Sequence, residues 1–174
     1  MFGDAAIALM NTDRSGVDHL AEDRWLAAAL PGWGVAAPGR IDAADLVELR
    51  ELRTLLRHLT EIVARGDRLG GPDLIAFNKV LAATPVRAQL AADGERYVID
   101  MTPVTTGWRE YAIREVAGSF SAILRADPSR LKICAAAGCG TVFWDQTRSR
   151  SRTWCDSRSC GNRMRVQRHR ARQS

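Results

Sequence analysis

No cysteine occurs before position 134 of this 174-residue chain, and only four occur in all. A disulfide framework through the first three-quarters of the molecule is therefore excluded, and the fold there must rest on apolar burial. Lysine is nearly missing: 23 of the 25 basic residues are arginine, spread along the whole chain. Aromatic residues are scarce at 6%, which leaves packing mainly to Leu, Ile, Val and Ala. No apolar run approaches the roughly 18 residues that a membrane-spanning helix requires. The start, Met1-Phe2-Gly3-Asp4, has no basic residue, and the apolar run from Ala5 to Met10 stops at Asn11, so no export signal is read. A soluble, cytoplasmic protein without membrane contact is expected. Catalytic signatures are missing as well: there is no G-x-S-x-G, no Gly-rich phosphate loop and no His pair at metal-ligand spacing, since His19, His58 and His169 lie far apart. The expectation is a protein that is not an enzyme.

What is present is unevenly distributed. The net charge of +5 hides a division at the end of the chain. Up to Trp144 there are 16 Lys+Arg against 18 Asp+Glu, whereas from Asp145 onward nine arginines face two aspartates. The whole positive excess therefore lies in the last 30 residues, where it points to an anionic polymer as partner.

Apolar spacing gives the elements. The run Ala5 to Met10 reads as a short buried strand. A helix capped by Asp18 follows, with Leu20, Trp25, Leu26 and Leu30 on one face and Pro31-Gly32 ending it. The clearest period is in Asp42 to Arg65, where Leu46, Leu49, Leu52, Leu56, Leu59 and Val63 recur at steps of three and four and Gly66 closes the helix. Gly70-Gly71-Pro72 opens another helix that ends before Pro85. The period then changes to two: Val86 to Ala91 and Arg96 to Met101 flank Ala92-Asp93-Gly94-Glu95, the pattern of a hairpin. Thr105 or Thr106 is expected to cap a third substantial helix through Ala126. The fold class is α+β: a mainly helical N-terminal domain with a small sheet or hairpin over residues 1–130, and a four-cysteine module over 131–174. Leu46, Leu49, Leu56, Leu59, Ile113, Val116 and Phe120 are the expected core. Leu131 to Ile133 lead straight into Cys134, so the module is expected to pack on the preceding helix rather than hang from a linker.

Cys134, Cys139, Cys155 and Cys160 form a C-x4-C, x15, C-x4-C array. Two thiolate pairs separated by a loop can close a tetrahedral shell around one Zn²⁺, and four thiolates leave no open position, which makes the metal structural rather than catalytic. Two disulfides are the rival reading and would need an oxidising compartment. A tetrathiolate zinc site carries about −2 charge; Gly138, Gly140 and Gly161 allow backbone N–H groups to turn toward sulfur, and Arg158 and Arg163 supply cations. Val142, Phe143, Trp144 and Trp154 are the expected miniature core, and His169 is a weaker substitute ligand. The candidate DNA contacts are Arg148, Arg150, Arg152, Arg158, Asn162, Arg163, Arg165, Gln167, Arg168, Arg170 and Arg172, acting chiefly on phosphates. A solvated tail that only balances the zinc site is the alternative. In the N-terminal domain, Asn11, Trp25, Trp33, Trp108 and Tyr111 could line an apolar pocket for a small-molecule effector; ordinary core packing is the rival. A homodimer through the outer side of the Asp42 to Arg65 helix is a further expectation.

These residues resemble the CGNR zinc-finger family of bacterial proteins: Cys134-x4-Cys139, then Val142-Phe143-Trp144-Asp145, Arg152-Thr153-Trp154-Cys155 and Cys160-Gly161-Asn162-Arg163 with a basic tail. Asp156-Ser157 stand where the family favours Ser-Met. Leu9-Met10-Asn11-Thr12, the Leu20 to Trp25 segment and the long Leu/Arg helix are similar to the alanine-rich, stress-associated ABATE domain that family members carry. The resemblance implies a stress-response transcription regulator that binds duplex DNA through the finger, with the N-terminal domain sensing a ligand. A finger that instead contacts RNA or a protein is the alternative.

Overall fold

The molecule is described by a computed structural model covering residues 4–14, 17–21, 23–104 and 107–171. Its body is built on the long helix α3, Ala43–Ala64, and on α5, Trp108–Ala126. The Leu stripe of α3 and the face Ala112, Ile113, Val116, Ala117, Phe120 and Ile123 of α5 are buried in one core. All seven residues expected in the core are buried. At the start of α3, Asp42 and Asp45 cap each other's backbone N–H groups at 3.1 and 3.0 Å. At its end Gly66 takes a left-handed φ of 86°, a conformation that glycine adopts without steric cost. Helix α4, Gly71–Ala83, inserts Phe77 edge-on against Phe120 with ring centroids 5.5 Å apart.

Two expectations about the N-terminal segment need correction. The run Ala5 to Met10 is not a strand but a helix, α1, Asp4–Met10. Its buried residues Ala5, Ala6, Leu9 and Met10 follow the three-to-four spacing of a helix, and Ala, Leu and Met are strong helix formers; a short apolar run does not distinguish the two by pattern alone. It packs between α3 and α5. The span expected as one helix from Asp18 is divided: β1, Asp13–Arg14, and β2, Val17–Asp18, form a two-residue ladder, a tight turn covers His19–Ala21, and α2 is Asp23–Ala29. Asp18 does act as a cap, accepting from Leu20 N–H at 3.1 Å, but on the turn. Leu20, Leu26 and Leu30 are buried all the same. The expected caps Thr105 and Thr106 lie outside the described residues, and Gly107 takes the position before α5.

The hairpin is longer than its apolar pattern suggested: β3, Val86–Asp93, pairs with β4, Arg96–Pro103, around a two-residue loop in which Gly94 has φ 60°. A second small ladder, β5 (Leu131–Ile133) with β6 (Val142–Trp144), begins the cysteine module. It lies against α3, and Leu131 and Val142 belong to the core of the body.

Candidate metal centre

β5 delivers Cys134 to the site, and its N–H bonds to Thr141 O at 2.8 Å. The chain then reverses through a knuckle in which Cys139 N–H bonds to Ala136 O at 3.0 Å. Gly138 and Gly140, with φ of 71° and 60°, provide the left-handed residues this reversal requires. Cys160 sits in a wide turn, Ser157–Gly161, closed by Gly161 N–H on Asp156 O at 3.0 Å and continued by helix α6, Asn162–Ala171. Asp156 is the N-cap of that turn, accepting from Ser159 N–H at 2.6 Å. Its departure from the family pattern thus has a structural use.

All four Sγ atoms lie within 4.8 Å of one another, with Cys139, Cys155 and Cys160 mutually separated by 3.6–3.7 Å. Zn–S bonds of about 2.3 Å in a regular tetrahedron imply S···S edges of about 3.8 Å. The observed spacing matches that shell and is far from the ~2.05 Å of a disulfide bond. Among the described residues these sulfurs are the only such ligand group, and His169 is not part of it. The groups around the sulfurs follow the same logic: Thr141 Oγ1 is 3.1 Å from Cys139 Sγ, and Arg163 Nη2 lies 3.8 Å from Cys160 Sγ while donating to Ala137 O at 3.3 Å.

The thiols titrate unevenly. Burial raises Cys139, but donors from Thr141 and the neighbouring thiols outweigh it and hold it at about 6. Burial and the surrounding thiols push Cys155 up to about 12, and the hydrogen bond with Cys139, then burial, push Cys160 up. Four thiolates this close repel one another, so a divalent cation is what allows them to ionise together.

The strand β6 explains which residues form the miniature core. Phe143 packs with Cys134, Ala136 and Cys160, flanked by Trp154 and Met164. Val142 and Trp144, expected in the same group, alternate to the other side and pack on the body. Asn11 fixes the junction by donating to Val142 O at 2.8 Å and accepting from Val142 N–H at 2.9 Å. Arg57 on α3 makes a second junction, donating to Met10 O at 2.8 Å and Gly140 O at 3.2 Å.

Asp145 is the polar centre that sequence reasoning passed over. It is fully buried and accepts from Lys132 Nζ at 2.8 Å, Thr147 N–H at 2.9 Å, Thr147 Oγ1 at 2.6 Å and Arg152 N–H at 2.9 Å. Burial works against its ionisation, yet Lys132 and these donors hold the carboxyl well below the usual range. Lys132 also donates to Arg150 O and to Arg152 O, so one ion pair folds the loop 145–152. The signal was available: an Asp two residues before Thr, directly after an apolar strand, is a side-chain turn motif.

The arginines divide into two groups. Arg152 is committed inward: its Nε donates to Trp154 O at 2.8 Å, its Nη2 to Cys155 O, and its guanidinium lies 4.9 Å over the Phe143 ring. Arg150 pairs with Asp127 at 3.1 Å. Arg148, Arg158, Asn162, Arg163, Arg165, Gln167 and Arg170 are exposed. The Arg168 side chain and Arg172 lie outside what is described. A groove of about 390 Å³ beside the cluster brings Arg14 and His19 of the body next to Ser159 and Arg163 of the finger, a convergence no spacing in the sequence indicated.

Of the five residues expected at an effector pocket, Trp25, Trp33, Trp108 and Tyr111 all pack in or against the core of the body. Asn11 is spent on Val142, Trp25 and Trp33 form an edge-to-face pair at 6.2 Å, and Trp108 and Tyr111 pack on the core at the start of α5, with Arg114 4.7 Å from the Tyr111 ring. A groove of about 470 Å³ between α3, α4 and α5 is lined by other residues, among them Leu52, Leu55, Val80 and Ile113.

A mainly helical body with a four-thiolate knuckle built onto its edge defines a zinc-finger protein with a structural metal centre. Residues 130–173 match the CGNR zinc finger, and residues 3–127 match the ABATE model, described as "Putative stress-induced transcription regulator". The chain belongs to the ABATE family and ends in a CGNR zinc finger that binds one zinc ion through Cys134, Cys139, Cys155 and Cys160. No curated protein matches it. No helix among the described residues is long and apolar enough to cross a membrane.

Proposed function

We propose that the protein is a cytoplasmic, non-enzymatic transcription regulator that binds duplex DNA through the finger, with zinc holding the arginine-bearing loop and α6 in place. The observation that carries this reading is the exposure of Arg148, Arg158, Arg163, Arg165 and Arg170 on one zinc-ordered module in a chain whose remainder is slightly acidic. These cations exceed what a −2 metal centre needs for balance. Phosphate neutralisation is the role they suit, since guanidinium groups on several helix faces meet a backbone more readily than one set of base edges. If about five phosphates are contacted, log K should fall against log salt with a slope near −4.5. Fluorescence anisotropy of the zinc-loaded protein on duplex DNA across a salt series measures it. Binding that is independent of salt, or unchanged when residues 163–174 are removed, would refute the proposal. Preference for RNA or single strands in the same titration would favour the alternative of a finger that contacts RNA.

A further inference from the structure

The ribbon β3–β4 has an unusual distribution of side chains. Its register sets Ala88 opposite Met101, Leu90 opposite Ile99 and Ala92 opposite Tyr97. Cross-strand partners share a face, so these six form one apolar surface, while Arg87, Gln89, Asp93, Arg96, Asp100 and Thr102 fall on the other together with Ala91 and Val98. A sheet patterned in this way has one face packed and one face in water. Here both faces are open, the apolar one included: Leu90, Tyr97 and Ile99 are 69%, 78% and 61% exposed, and Arg87, Gln89, Asp100 and Thr102 on the other face are exposed as well. Among the described residues the ribbon pairs with itself and forms no extensive contact with another element. Two strands alone are marginally stable in water and need a packed layer to be secure.

The helix leading into the ribbon has a similar open face. Phe77 is its buried anchor, yet Leu74 and Leu81, about one turn to either side of it on the same face, and Ile75, about 100° round from Leu74, lie exposed. Two adjoining elements therefore present uncovered apolar surface along one continuous stretch of chain.

We infer that this surface is where two copies of the chain associate, the ribbon face and α4 stripe of one meeting those of the other across a twofold axis. Three observations favour a second copy as occupant. The polar face of the ribbon carries Arg87 and Arg96 against Asp93 and Asp100, so it offers no net charge to draw phosphates or an anionic bilayer. A flat apolar face without polar positions is complementary to itself, as an isologous contact requires. The size also fits a weak self-association: a ribbon of eight residues per strand is about 26 Å by 10 Å, and α4 adds a strip about 20 Å long. With the strip about 10 Å wide the two cover about 460 Å² per partner, the size of a weak, micromolar contact rather than the ~800 Å² of a standard interface. The proposal does not depend on DNA binding and differs from dimerisation through the outer face of α3.

Sedimentation equilibrium of the full-length, zinc-loaded protein up to about 100 μM tests it, a range that detects micromolar association. The expected mass is twice 19.1 kDa. Leu90→Arg combined with Ile99→Arg should return the monomer mass, Ile75→Arg should weaken association at least tenfold, and Gln89→Arg on the opposite face should leave the dimer intact. Because all four side chains are exposed, circular dichroism should be the same for each variant. A wild type that stays monomeric, or a dimer indifferent to the double variant, overturns the inference. So does a monomer that binds phosphatidylcholine–phosphatidylserine vesicles and loses that binding in the double variant, which would assign the face to a bilayer.

Discussion

Asp18 shows how one side chain can bind a segment of poor regularity into a core. It accepts from Arg53 at 2.5 Å and from Arg50 at 3.1 Å, while the mostly buried Arg53 also donates to Thr12 at 2.8 Å. Arg53 is a charge the folded protein cannot leave unpartnered. Its hydrogen bond, against the opposing effect of burial, holds Asp18 below the ordinary carboxylate range. The ionised form therefore stabilises the fold fully above the unfolded-state pKa of about 3.9, and the contribution drains away as pH falls through the lower folded value. Asp18→Asn should cost about 2–3 kcal/mol near pH 7. Urea denaturation of wild type and variant at a series of pH values should show that difference shrinking below about pH 4. A difference independent of pH would mean that the ion pair is not its source. In the sequence Asp18 stood out only as a helix cap, and Arg53 not at all, because it occupies what the helical period makes a polar position.

At the level of elements, the finger separates residues that shape it from residues available to a partner. Arg152 holds the backbone on either side of Cys155 and covers Phe143, whereas Arg165 is exposed on α6. Arg152→Ala should accelerate zinc loss to a chelator severalfold, followed with a zinc-sensitive dye. Arg165→Ala should leave zinc retention unchanged and reduce the magnitude of the DNA salt slope by about one. Chelation itself should melt α6 and the knuckle, because a core of this size does not fold without its metal. Most of the helical signal should persist, since α3 and α5, with 22 and 19 residues, draw their burial from elsewhere. Loss of all helix on chelation would contradict this division. The cysteine spacing announced the metal, but the two roles of arginine were not legible: Arg148, Arg150 and Arg152 alternate identically with short polar residues, and only the position of Asp145 and Phe143 decides which one turns inward.

For the whole molecule, the finger and body share a core through β5–β6. Leu131 and Val142 are buried with α1, α3 and α5, and Asn11 and Arg57 bind the junction. Zinc-loaded protein should unfold in one transition, with helix circular dichroism and tryptophan fluorescence coinciding. Asn11→Ala removes two buried-backbone partnerships and should lower stability by about 2–3 kcal/mol. Two resolved transitions in the wild type would contradict a shared core.

The sequence alone determined the metal centre, the long helices and the split in charge, because each is a local property: ligand spacing, a 3.6-residue period, a count of ionisable groups. It also placed the hairpin, since alternation and an Asp-Gly pair act over a few residues. It did not determine α1, whose run was too short for its period to be seen. Nor did it reveal that Asn11 is a bolt to Val142, 131 positions away, rather than the wall of a pocket. Such contacts arise only when distant segments are brought together, and a polar side chain takes the use that its buried neighbours leave open. The uncovered ribbon follows the same rule, since alternation specifies an apolar face, and only the arrangement of the other elements decides whether it is covered.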